Sequence, residues 1–351
     1  MATVTLVACH AQTQPTTAAT LRTGAEVLME DAQSKGRVAV VGNQTSIVGN
    51  THLVDTLLAR DVNVTKIFCP EHGFRGTAEA GAKVDNSVDP KTGLPIISLY
   101  GKNKKPTSEQ LKDVGYVIFD LQDVGCRFYT YLSTLHYVME ACAEADIPLI
   151  VLDRPNPNGH YIDGPVLDTA TCRSFVGMHP VPVVYGMTIG EYAKMINGEH
   201  WTSKECDLTV VPMQGYKRDS VGYRLPVPPS PNLRTMQAIE LYPSLCYFEG
   251  TSCGVGRGTD WPFEWVTYGS DTLDLRQYET TDAIDLWPLM EMYRRVPKGK
   301  FFLKNNFFDK LAGTPELRRQ IEAGMSEADI RATWQPALEE FKLTRKKYLI
   351  Y

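Results

Sequence analysis

Tyr116-Val-Ile-Phe119, breaking off into Asp120-Leu-Gln-Asp123, sets the reading of the chain. Four apolar residues with no polar alternation describe a strand covered on both faces, as in a parallel sheet. The pattern recurs. Arg37-Val-Ala-Val-Val41 ends in Gly42-Asn43-Gln44, and Val64-Thr-Lys-Ile-Phe68 in Cys69-Pro70-Glu71-His72-Gly73. Pro95-Ile-Ile-Ser-Leu-Tyr100 ends in Gly101-Lys102, and Pro148-Leu-Ile-Val-Leu152 in Asp153-Arg154-Pro155-Asn156. Helical spacing falls between most of these runs: Leu53, Leu57 and Leu58 within 52–60, a short helix over 107–112 capped by Thr107, and Leu132, Leu135, Val138, Met139 and Cys142 on one side of 129–145. Strand and helix in alternation give an open α/β sheet. Further on, the pattern predicts strands at 182–185 and 208–212 with a helix at 188–196 between them.

The Pro-rich stretch Leu225-Pro-Val-Pro-Pro-Ser-Pro-Asn232 marks a boundary. It divides an α/β domain, 21–228, from a smaller α+β domain, 229–351. In the latter we expect a helix over 284–295 with Trp287 and Met290 inward, and another starting at the cap Ser326-Glu-Ala-Asp329. Pro336 should kink or restart that last helix, and the tail Arg345–Tyr351 should dock as a strand or helix end.

The 351 residues carry 36 Lys+Arg against 41 Asp+Glu, a net charge of −5, with 43% hydrophobic residues. That balance excludes a disordered chain and a coiled-coil rod, and it argues against a nucleic-acid partner. No apolar run reaches the length of a transmembrane helix. The eight cysteines are scattered without CxxC or zinc spacing, so neither a disulfide framework nor a zinc site is expected. The start, Met1 to Leu6-Val-Ala-Cys9, resembles a shortened lipoprotein signal. It suggests an exported protein, periplasmic or membrane-anchored through a lipid on Cys9, with 10–20 as tether.

Ligands of open parallel sheets bind beyond the carboxyl ends of the strands. Those ends carry Asn43, Glu71-His72, Asp120-Gln122-Asp123-Arg127 and Asp153-Arg154-Asn156. The loop Pro70-Glu-His-Gly-Phe-Arg-Gly76 is the sharpest of them: a glutamate beside Phe74, between flexible glycines, suits a general acid. A glycine loop, Gly250 to Gly258, presents Arg257, Thr259 and Asp260, with Glu249 just before it. Its spacing is not the dinucleotide fingerprint, and Trp261-Pro262 opens no helix, so no nucleotide cofactor is expected. Glu71, His72, Asp120 and Asp123 could chemically hold a metal, but no diagnostic spacing marks such a site.

Several of these stretches together resemble one family. Phe68-Cys-Pro-Glu-His-Gly-Phe-Arg-Gly76, Asp120-Leu-Gln-Asp-Val-Gly-Cys-Arg-Phe-Tyr-Thr-Tyr131, Leu152-Asp-Arg-Pro-Asn-Pro-Asn-Gly159, Gly256-Arg-Gly-Thr-Asp260 and Arg345-Lys-Lys-Tyr348 look like the NamZ-type exo-β-N-acetylmuramidases, in order from about residue 23 to 351. The resemblance implies a Rossmann-like N-terminal domain, a smaller C-terminal domain and an active site in the cleft between them. It also implies release of terminal N-acetylmuramic acid from peptidoglycan fragments, a small muropeptide or amino-sugar substrate. Its proposed catalytic glutamate falls on Glu71, with His72 beside it. By position, Asp120 ranks first as the second carboxylate, before Asp123, Glu249 and Asp153. Arg75, Arg127, Arg154 and Arg257 are candidates for the lactyl carboxylate. Asn43, Gln122, Asn156, Thr259, Asp260 and Tyr129 are further candidates for sugar contacts. The family's usual insert after Asp260 is shorter here by tens of residues. Two alternatives stay open: a non-catalytic cell-wall-sugar binding lipoprotein, which that shortening favours, and a metal-dependent hydrolase.

Overall fold

The computed structural model describes residues 21–31, 36–74, 86–219 and 223–351. The expected signal and tether (1–20, with Cys9) and Arg75 lie outside the described residues.

The first domain runs α1 (Gly24–Asp31), β1 (Val38–Gly42), a small ribbon of β2 (Ile47–Val48) and β3 (Thr51–His52), α2 (Leu53–Leu58) and β4 (Val64–Cys69). It continues through β5 (Ser87–Val88), β6 (Pro95–Ser98), α3 (Ser108–Leu111), β7 (Tyr116–Asp120), α4 (Tyr131–Glu144), β8 (Leu149–Leu152), α5 (Ile189–Gly198) and β9 (Leu208–Val211). Seven strands form one sheet in the order β5-β6-β4-β1-β7-β8-β9. Every pairing is parallel except that of the edge strand β5 with β6. The order from β6 to β9 is that of doubly wound nucleotide-binding sheets, reversing direction between β1 and β7.

Why β1 reads as solid apolar sequence is visible in its packing. Ala39 and Val41 enter the larger core with α4, whereas Val38 and Val40 enter a second core with α1 and α2. Alternate residues face opposite layers, and both layers are covered. Thr107 and Thr188 cap α3 and α5 through reciprocal boxes with Gln110 and Glu191. No ladder strand forms at 182–185; Val184 makes only isolated bridges to Cys126 and Asp163.

The second domain contains α6 (Met236–Leu245), a 3₁₀ turn (Cys246–Gly250), the antiparallel hairpin β10 (Trp265–Tyr268) and β11 (Asp271–Asp274), then α7 (Trp287–Arg295), α8 (Phe307–Ala312), α9 (Glu316–Glu322) and α10 (Glu327–Arg345). The expected start of the helix over 284–295 fails here, and so does a restart at Pro336. Helix α7 starts only at Trp287, because the Ile284 N–H donates to Asp163 Oδ2 and its carbonyl accepts from Arg331. Leu289 and Met292 face inward, while Trp287 is partly exposed and stacks on Tyr278. Pro336 does not restart α10: Trp334, Leu338 and Phe341, buried on either side of it, hold one continuous helix. The tail docks on the first domain, where the Tyr351 hydroxyl donates to Asp153 Oδ2 and accepts from the Met213 N–H. The seven described cysteines are buried free thiols. One core runs through both domains, from Phe119 and Leu135 to Leu286, Phe308 and Ile330.

Within that core His136 Nδ1 lies 3.0 Å from His179 Nε2, and His179 Nδ1 lies 3.0 Å from the Tyr192 hydroxyl. Burial pushes His136 down to about 4 and His179 well below the ordinary 6.5. The unfolded chain therefore binds protons more readily here, and the pair's contribution to stability is lost as pH falls from about 6.5 toward 4. Asp123 and Asp153, pushed up to about 6 by burial, act in the opposite sense between about 3.8 and 6. The readout is therefore the difference between proteins. His136→Asn should flatten the acid side of the Tm–pH profile relative to wild type, and superimposable profiles would refute the assignment.

Candidate active site

Glu71 follows β4 through Cys69-Pro70 and stands on a tight turn closed by the Gly73 N–H to the Pro70 carbonyl. His72 (φ 70°) and Gly73 (φ 75°) are both left-handed, and for a non-glycine residue such as His72 that conformation is uncommon. His72 is buried beneath the turn, its Nε2 3.3 Å from Ser230 Oγ of the second domain. Glu71 is left half-buried at the wall of a cavity of about 650 Å³ between the domains. Its Oε2 accepts from Thr130 Oγ1 at 3.1 Å, just before α4. The Tyr100 phenol, beyond β6, lines the same cavity; burial and then the charge of Glu71 push Tyr100 up to about 12, so it keeps its proton at neutral pH.

Across the cavity stands Glu249, on the 3₁₀ turn after α6. Arg257 of the glycine loop clamps it, Nε to Oε1 at 2.6 Å, and lies 5.1 Å from the Phe263 ring centre. Edge-on aromatic pairs, Phe128–Tyr242, Tyr129–Tyr242 and Tyr242–Phe263, line the floor with centroids 5.0 to 6.1 Å apart. Such walls suit the apolar faces of a sugar ring.

Of the sequence candidates, the cavity thus gathers Glu71, His72, Tyr129, Glu249 and Arg257. Most others hold the fold instead. Asp120 is fully buried and takes both Nε and Nη2 of Arg154, at 2.5 and 2.8 Å. Neither is available to a ligand. Asp123 accepts from the Tyr185 hydroxyl and the Gly125 N–H. Asp153 ties Thr188, Gly190 and Tyr351 together. Asn156 donates to the Met187 carbonyl, and Gln122 to those of Asp123 and Pro155. Asn43 closes its own turn and donates to the Tyr131 hydroxyl. Arg127 is buried and donates to four backbone carbonyls. Thr259 folds back onto the Gly256 carbonyl and lines a neighbouring hollow, and Asp260 is exposed outside the main cavity. Phe74 packs on His52 and is not among the residues lining the cavity. The metal set is not brought together: among the described residues no three His, Cys, Asp or Glu side chains converge. Tyr100, Lys104, Thr130, Phe175 and Ser230 line the cavity without having stood out in the sequence. Tyr100 does end an apolar run, and only its lack of charge concealed it.

The family model of the exo-β-N-acetylmuramidase NamZ N-terminal domain matches residues 38–237, and that of its C-terminal domain matches 240–286 and 275–351. The chain belongs to the NamZ family. Membership makes it a glycoside hydrolase. The first NamZ region ends at residue 237 and the second starts at 240, both inside α6 and beyond the boundary expected from the prolines. The NamZ peptidoglycan β-N-acetylmuramidase of Bacillus subtilis strain 168 is 40% identical over 383 aligned residues, which cover 94% of this chain and 91% of that protein. Two solved structures of DUF1343 family proteins from Bacteroides fragilis share the fold. One has a TM-score of 0.85 at 41% identity, the other 0.82 at 30%; each alignment covers 94% of this chain and 99% of the other.

Proposed function

We propose that this NamZ-family protein removes the terminal, non-reducing β-linked N-acetylmuramic acid from peptidoglycan fragments, with Glu71 as the proton donor to the glycosidic oxygen. The observation that carries the reading is the placement of Glu71 at the wall of the inter-domain cavity, oriented by Thr130 and beside the Tyr100 phenol. Glycoside hydrolysis pairs a proton donor with a group that stabilises an oxocarbenium-like transition state. Glu249 takes the second role here, since Asp120 is tied to Arg154 and, of the described carboxylates, only Glu71 and Glu249 line the cavity.

A chromogenic 4-nitrophenyl β-N-acetylmuramide tests this directly. Release of nitrophenol, undiminished by a chelator, is the expected result. Binding without turnover would favour the sugar-binding alternative, and loss on chelation the metal-dependent one. We further propose that Cys9 is lipidated and holds the enzyme at the cell envelope, supported by the Leu-Val-Ala-Cys run. A Cys9→Ala protein should then lose incorporation of a labelled fatty acid; equal labelling would exclude that site.

A further inference from the structure

The proposed substrate carries a carboxylate on its lactyl ether, so the cavity must offer it a cation. Of the four arginines that the sequence suggests for this task, the three that are described are engaged elsewhere: Arg127 with backbone carbonyls, Arg154 with Asp120 and Arg257 with Glu249. Of the other described charged groups lining the cavity, that leaves Glu71 and one ammonium group, Lys104. Lys104 lies on the loop after Tyr100, half-buried, and among the described residues it has no carboxylate partner. It is nonetheless held in place. Its Nζ sits 4.5 Å from the ring centre of Phe175, which also lines the cavity and stacks on Tyr137. A cation parked on an aromatic face is positioned at low cost and keeps its N–H donors for an incoming anion.

We propose that Lys104 is the residue that recognises the substrate carboxylate and so separates N-acetylmuramic acid glycosides from neutral N-acetylhexosaminides. This rests on the muramidase reading above. Loss of one charge-assisted contact of this kind costs about 10- to 100-fold in affinity.

The test compares two 4-nitrophenyl glycosides, the acid and its lactamide, in which the carboxylate is a neutral amide. Wild type should prefer the acid by about 10- to 100-fold in kcat/KM. In Lys104→Met the preference should collapse toward unity, mainly through a higher KM for the acid, while Lys104→Arg should keep part of it. Circular dichroism confirms that the variants are folded; should Lys104→Met fail that check, Lys104→Gln takes its place. An unchanged acid-to-amide ratio in the folded variant overturns the assignment of Lys104, even with the enzyme fully active. A wild type that cleaves neither glycoside overturns the proposed function, and the role of Lys104 with it.

Discussion

Glu71→Gln should lower kcat on a disaccharide substrate by about 10³-fold, within the range typical of general acids, while KM and Tm change little. Glutamine keeps the length of the side chain and an oxygen that can accept from Thr130, so the turn after β4 has no reason to rearrange. What it lacks is a proton for the departing oxygen. The size of the loss should therefore depend on the leaving group. A sugar alkoxide needs protonation as the bond breaks, whereas nitrophenolate leaves with much less help. The defect should be largest on the disaccharide and clearly smaller on the nitrophenyl glycoside. Equal defects on both would point away from acid catalysis toward a purely electrostatic or nucleophilic role, and full activity would remove Glu71 from the chemistry.

Arg127→Met should damage stability rather than recognition. The guanidinium reaches the Pro165 and Val181 carbonyls of the first domain and the Leu311 and Ala312 carbonyls of the second, at 2.7 to 2.9 Å. Burial lowers Arg127 to about 10, which leaves it charged at neutral pH. Gly313, in the left-handed region at φ 80°, allows the approach: a Cβ there would stand 2.5 Å from Nη2. Methionine fills similar space and satisfies none of the four acceptors. At roughly 1–3 kcal/mol for each buried group left without a partner, partly relieved by water, the loss should be on the order of 4 kcal/mol. That is a large share of the roughly 5–15 kcal/mol that holds a typical domain. The expected readout is a Tm lower by on the order of 5–10 °C, with the acid-to-lactamide ratio unchanged in whatever folds. A normal Tm with a collapsed ratio would restore Arg127 to the substrate site.

The sheet was legible because a strand covered on both faces has no way to hide its composition, as β1 and β7 show. Helix starts at Thr107 and Thr188 were legible because a capping hydroxyl acts on its own neighbours. The site was only half legible. Aspartate, arginine and asparagine at strand ends are the groups that bind polar ligands, and they are equally the groups that satisfy a crowded rim of backbone. Asp120 and Arg154 answer each other across two adjacent strands, a relation no spacing along the chain reveals. Tyr100 and Lys104 escaped notice because one is uncharged and the other lies beyond the strand end. Trp287 and Pro336 misled for a similar reason: distant partners, Asp163 and the buried Trp334, decided where those helices begin and how far they run.

The core that runs unbroken from the sheet into the second domain bears on motion. Hinged enzymes open by parting two bodies that touch over a modest, largely polar surface. Here such a parting would pull Tyr242 and Tyr247 off Phe128 and strip Arg127 of half its acceptors. The jaws of this cleft are therefore fixed. Sugar must come and go without the two domains parting, and ligand soaked into a rigid lattice should reach Glu71 without cracking it.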